Sequence, residues 1–174
     1  MNQWHKIKDW SPLPSRHDGP NVQLDLHLRS EVGAISPFVD KLMRLVRNLN
    51  GISGNEEAIE IALREALANA VIHGNQENSS KKVHVVCLCG TSEVSFVVRD
   101  EGDGFDIGEV PDPTAPENLE SGRGRGIYLM KSVMDEVRFE QGGTVVFMRK
   151  SAKREHAYKR VSPVEGPGYD KRQG

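Results

Sequence analysis

Apolar and polar residues alternate from Val22 onward, with Val22, Leu24, Leu26 and Leu28 set against Gln23, Asp25, His27 and Arg29. A period of two predicts a half-buried strand. Over 36–50 the period lengthens to that of a helix: Ser36 is the expected cap, Pro37 lies in the first turn, and Phe38, Leu42, Leu45, Val46 and Leu49 are the apolar stripe. Gly51 and Gly54 interrupt the chain, Asn55 is the expected cap of a second helix reaching about His73, and Gly74 ends it. Lys82–Cys89 and Glu93–Arg99 read as paired strands turning near Gly90. Residues 100–125 follow neither period and are rich in Gly, Pro, Asp and Glu. A loop of that length within a domain is usually a functional lid or a disordered piece. A helix from about Gly126 to Met134 follows, then a hairpin of Val137–Glu140 and Thr144–Lys150 turning on Gly142 and Gly143.

Strands joined through short turns predict a mainly antiparallel sheet with the helices on one face, an α+β two-layer sandwich. Residues 1–19 read as an N-terminal arm, 20–150 as one folded domain and 151–174 as a basic, disordered tail. No internal repeat or second domain is evident in the sequence.

Composition narrows the classes of function. The 174 residues carry 23 basic and 25 acidic side chains, a net charge of -2, with no basic excess of the kind phosphate-backbone binding favours. Direct nucleic-acid binding is therefore not expected. No apolar run approaches the ~20 residues of a membrane span, and residues 1–10 lack the apolar centre of a secretory signal. Cys87 and Cys89 point to the same side of a strand, poorly placed for a disulfide with each other and too few for a structural zinc site. Buried thiols in a reducing cytoplasm are the expectation.

Three segments carry candidate chemistry. In the second helix, at ~100° per residue, Ile59, Leu63, Leu67 and Ala70 form the core stripe, and Glu57, Glu60 and Arg64 a solvated one. Glu65, Asn69 and His73 step by four on a third face beside Ala58, Ala62 and Ala66, where small neighbours leave room for a ligand. Helical spacing alone fits ordinary exposed polar residues at least as well, and a helix-end histidine bonded to nearby backbone is an equal reading for His73. After the strand ending at Arg99 comes Asp100-Glu101-Gly102-Asp103-Gly104-Phe105-Asp106. Its first carboxylate can accept a hydrogen bond from a base's exocyclic amine, and its glycines permit close approach. Calcium is excluded by spacing, since Gly102 and Pro111 stand where an EF-hand needs oxygen ligands. Gly122-Arg123-Gly124-Arg125-Gly126 then leads directly into a helix, where free amides and the helix dipole attract phosphate and the arginines add charge. It matches neither the Walker nor the dinucleotide spacing, and alone it also reads as a flexible Arg-Gly linker.

Taken in order, Glu65-x-x-x-Asn69, Asp100-x-Gly102-x-Gly104 and Gly122-x-Gly124-x-Gly126 resemble the N box and the two glycine boxes of the GHKL (Bergerat-fold) ATPases. Residues 64–75 (REALANAVIHGN), 100–106 and 122–137 are most similar to the anti-sigma factor serine/threonine kinases. The resemblance spans about Val22 to Lys150. It implies a Bergerat sandwich with an ATP lid, using ATP and Mg²⁺. Glu65 would be the general base and Asn69 the magnesium ligand. Asp100 would bind the adenine amine, with Gly102 and Gly104 admitting base and ribose. Gly122, Arg123, Gly124, Arg125 and Gly126 would wrap the phosphates, with His73 at the pocket's edge. The charged Arg123 and Arg125 and the three lid prolines (Pro111, Pro113, Pro116) depart from the family's pattern.

The expected function is a cytoplasmic protein serine/threonine kinase that sequesters a sigma factor and phosphorylates an anti-sigma factor antagonist, with a homodimer possible. The competing readings are a nucleotide-sensing module without phosphotransfer and a histidine kinase-like ATPase domain. For the latter the candidate acceptor His17-Asp18 is followed by the turn Gly19-Pro20 rather than by a helix. A structural protein without a ligand is the fourth.

Overall fold

The computed structural model describes residues 22–48, 54–118 and 124–152. The expected N-terminal arm and most of the basic tail lie outside these residues, as do Gly122 and Arg123.

Five strands form one sheet in the order β1-β2-β3-β5-β4, every neighbouring pair antiparallel. They are β1 (Val22–Arg29), β2 (Lys82–Cys89), β3 (Glu93–Arg99), β4 (Glu136–Glu140) and β5 (Val145–Ser151). The helices are α1 (Val32–Asn48), α2 (Glu56–Ala68) and α3 (Arg125–Val133). The alternation read from Val22 sets the register: Leu24, Leu26 and Leu28 pair with Cys87, Val85 and Val83, and these side chains join the core beneath the helices. Val39, Leu42 and Val46 of α1, Ile59, Leu63 and Leu67 of α2 and Met130 of α3 are fully buried on that side with Phe96 and Met148. The two-layer α+β sandwich is the observed architecture. Cys87 and Cys89 are buried free thiols on its core face, 3.4 Å apart and hydrogen-bonded, and that bond, with burial, pushes the Cys87 thiol above the ordinary range.

One helix start and one cap differ from expectation. Helix α1 begins at Val32, so Ser36 and Pro37 are inside it rather than at its cap and first turn. Ile35 is buried one turn ahead of Val39, which extends the apolar stripe backward, and burial of that extra turn outweighs the cost of an internal proline. The stripe itself runs Ile35, Val39, Leu42, Met43 and Val46; Leu45 is exposed, and Leu49 is outside the described residues. Asn55 precedes α2 but makes no capping bond there: its amide donates to the Ser151 carbonyl at 2.8 Å, tying the helix to the end of β5. The solvated stripe of α2 has a structural task as well. Arg64 bonds Glu60 at 2.8 Å, Asp40 at 3.0 Å and the Ser36 hydroxyl at 3.0 Å, joining α2 to α1, and these carboxylates hold its guanidinium above the ordinary arginine range.

Candidate nucleotide site

Helix α2 does not stop at Gly74 as an ordinary α-helix. Residues Asn69–Gly74 form a π-helical turn, a widening often found at functional positions. It carries the third face onward. Glu65 and Asn69 are half-buried, while His73 is exposed.

The alanine side of α2 is where α3 packs. Ala62 and Ala66 are buried in the same core as Met130, and their small size lets the two helices approach. Gly126, in the first turn of α3, sits directly on the polar line: a Cβ there would lie 2.6 Å from Glu65 Oε2 and 3.6 Å from Asn69 Oδ1. The Glu65 carboxylate thus lies against the first turn of α3, the positive end of the helix dipole.

Asp100 ends β3 on the other side of the π turn. Its Oδ1 accepts the Gly102 amide at 2.8 Å, closing a tight turn and leaving the carboxylate capacity for further donors. Burial pushes its carboxyl above the usual carboxylate range, opposed by that amide. Two backbones press on this turn. A Cβ at Gly74 would meet the Asp100 carboxylate at 2.4 Å, and one at Gly102 would meet the Gly74 carbonyl oxygen at 2.1 Å. No other residue fits at Gly102, since the atom it would strike is main chain. Gly104, at φ +79°, packs equally close to the Gly142 carbonyl.

Residues not foreseen in the sequence hold this turn in place. Asn75 is fully buried; its amide donates to the Lys82 carbonyl at 3.1 Å and its oxygen accepts the Glu101 amide at 2.8 Å. One side chain thereby joins the end of the π turn, the start of β2 and the acidic turn. The sequence signal was the Gly74-Asn75 pair, legible as a helix stop and not as a clamp. Thr144 is the second: its carbonyl accepts the Asp100 amide at 3.1 Å, and the Gly142 carbonyl accepts that of Phe105 at 2.7 Å. The acidic turn is sewn to the β4–β5 turn, with Phe105 edge-on to Phe139 at 5.8 Å.

The lid folds through short-range bonds. Asp106 caps a 3-10 turn at Ile107–Glu109, and Asp112 accepts the Thr114 amide at 2.8 Å and hydroxyl at 2.7 Å. Pro116–Asn118 forms a second such turn. Gly124, at φ +76°, brings the far end of the lid against the Pro111 carbonyl. Arg125 is exposed at the start of α3. Two open hollows lie beside the acidic turn and the lid. One of about 430 Å³ lies between the acidic turn and Phe139, Gly142 and Gly143; the other, of about 250 Å³, lies between Val110–Pro113 and Ile127, Tyr128 and Lys131 of α3. Neither is lined by Glu65, Asn69 or Asp100, whose side chains lie against glycine backbones.

Of the eleven residues singled out in the sequence, the structure brings Glu65, Asn69 and Gly126 together at one point and Asp100 and Gly102 at another, while Gly104 packs against Gly142 and Thr144. The π turn links the two groups. His73 is on that turn, exposed, and Gly124 and Arg125 stand at the start of α3.

The chain is similar to proteins of known kind. Residues 28–150 match the family described as histidine kinase-like ATPase domain. An anti-sigma F factor of Heyndrickxia coagulans is 33% identical over 135 residues, which covers 74% of this chain and 89% of that protein. The serine-protein kinase RsbW of Bacillus subtilis (strain 168) is 34% identical over 102 residues, 54% of this chain and 63% of that one. The solved structure of the RsbU and RsbW domains of a Mycobacterium tuberculosis protein shares the fold with a TM-score of 0.53 at 18% identity, covering 76% of this chain and 32% of the longer one. The fold, the ordered polar line and a match across nearly all of the described residues lead to one assignment: the chain belongs to the histidine kinase-like ATPase domain family, with anti-sigma factors and serine-protein kinases among its relatives.

Proposed function

We propose that this chain is an ATP-dependent protein serine/threonine kinase that binds a sigma factor and phosphorylates an anti-sigma factor antagonist. The observation that carries the reading is the convergence of the Glu65 carboxylate and the Asn69 carbonyl on the first turn of α3. A half-buried carboxylate beside a phosphate-attracting helix start is what a hydroxyl acceptor needs.

The residues present suit ATP with magnesium. Asp100 is a half-buried acceptor for the adenine amine. Gly102 and Gly104 keep side chains out of the path of base and ribose. Gly122, Gly124 and Gly126, with Arg123 and Arg125, supply amides and positive charge for the phosphates, and His73 stands at the open edge. The Asn69 oxygen, next to a carboxylate, is a hard donor of the kind Mg²⁺ takes together with phosphate oxygens and water. When bound, the ion neutralises charge on the phosphates. Two like charges do not share one place, so the Glu65 carboxylate rotates off Gly126 when phosphates occupy the start of α3. It then accepts the proton of a serine hydroxyl as that oxygen bonds the γ-phosphorus. The bond to the β-phosphate oxygen breaks and its electron pair leaves with ADP.

Incubation with radiolabelled ATP and candidate antagonists, followed by mapping of the labelled residue, tests this. Labelling on serine or threonine is expected, with Glu65→Gln lowering the transfer rate about 10²–10⁴-fold while ATP binding is retained. ATP binding without transfer to any antagonist would instead indicate a nucleotide-sensing module.

A further inference from the structure

We propose that Asp25, His27 and His84 form a binding site for a zinc-class divalent cation on the outer face of the sheet, separate from the nucleotide site. The register of β1 against β2 builds it. His27 lies directly opposite His84, and Asp25 is two residues along the same face of β1. One ligand atom from each of the three lies within 4.8 Å of the others. The His84 Nε2 and Asp25 Oδ1 are 2.6 Å apart, and the two imidazole rings stand edge to face at 4.8 Å. His84 is 7% exposed, whereas Asp25 and His27 are exposed, so the cluster is anchored on its inner side and open to an arriving ion.

The donor set selects the ion. Bonds of 2.0–2.2 Å from a tetrahedral ion put ligand atoms roughly 3.3 Å apart, between the two separations above. The Asp25–His84 contact gives way slightly as the ion replaces the shared proton. Two imidazoles and a carboxylate suit Zn²⁺, Co²⁺ or Ni²⁺ and not Mg²⁺, which prefers oxygen alone. Three protein ligands leave one position open. The face also carries cations. Arg99 lies opposite His84 on β3, and the next pair outward is Arg29 with Lys82, Arg29 being 3.7 Å from Glu31. These charges repel an arriving cation and weaken the site.

The whole chain, stripped of metal, is titrated with Zn²⁺ by calorimetry in excess magnesium, and with Co²⁺ by visible absorption. One equivalent of Zn²⁺ and a tetrahedral Co²⁺ spectrum are expected. His27→Ala and Asp25→Asn, both at exposed positions that leave the core intact, each lower zinc affinity at least about 10-fold, the least a lost outer-shell partner costs, with the metal-free melting temperature unchanged. Absence of zinc uptake, or wild-type affinity in both variants, overturns the proposal.

Discussion

The two walls of the candidate nucleotide site are built in opposite ways. The floor, from Glu65 through the π turn to Asp100 and Gly104, is fixed by contacts between residues far apart in sequence: Asn75 with Lys82 and Glu101, Asp100 with Thr144, Phe105 with Gly142. Among the described residues of the lid, 106–118, the side-chain hydrogen bonds given by Asp106, Asp112 and Asn118 span two to six residues, and no side chain is buried. A floor of that kind forms with the domain and cannot change without it, whereas a lid of that kind refolds locally at little cost. Under the proposed function, the floor would recognise the base and the lid would adjust to the triphosphate.

Substitutions that respect or violate this division sharpen it. The largest effect on stability is expected at Gly102→Ala, where the new methyl meets a main-chain oxygen at 2.1 Å. A loss of about 1–3 kcal/mol, read by denaturant unfolding, would establish the floor as part of the fold; wild-type stability would show that the turn yields. Asn75→Ala removes two hydrogen bonds from a fully buried site. The expected loss is about 1–3 kcal/mol, together with faster amide exchange at Glu101. Asp112→Ala is expected to leave the melting temperature unchanged while raising exchange at the Thr114 amide, since Thr114 both bonds Asp112 and holds its carboxyl below the usual range. A global loss of stability there would contradict the division.

Much of this was legible beforehand. The strands were read closely because one face of each lies in a continuous core, and period two survives wherever one face is buried. Glu65-Asn69 and the turn at Asp100 were visible only as candidates, because helical spacing fits exposed polar residues equally well and each glycine turn alone is weak. What marked them out was their order along the chain, which resembles that of the GHKL ATPases. The start of α1 was not legible, because Ser36 and Pro37 give a strong local signal that the burial of Ile35 overrides. The clamp at Asn75 was not either, since its partners Lys82 and Glu101 become neighbours only once β2 and β3 have paired. Nor did the alanine side of α2 announce α3, a helix some sixty residues later whose only visible cue was a glycine at its start.

Asp100 joins the two halves of the account, because it belongs to the fold and is proposed to read the base. Burial raises its carboxyl above the unfolded value of 3.8. The sign follows from linkage: the group's stabilising contribution is full below that value and is lost as pH rises through the raised one, so at neutral pH ionised Asp100 is a cost to the fold. Asp100→Asn keeps an oxygen for the Gly102 amide and removes that cost, so the variant should melt at or slightly above the wild-type temperature at neutral pH. It also loses the charged acceptor for the adenine amine, worth about 1.5–3 kcal/mol, or roughly 10- to 100-fold in affinity. Calorimetric titration of ATP with magnesium into wild type and Asp100→Asn at neutral pH is the direct measurement. The expected result is a folded variant that binds ATP at least about 10-fold more weakly; a folded variant that binds ATP as tightly as wild type would contradict the assignment of Asp100, and with it the nucleotide site.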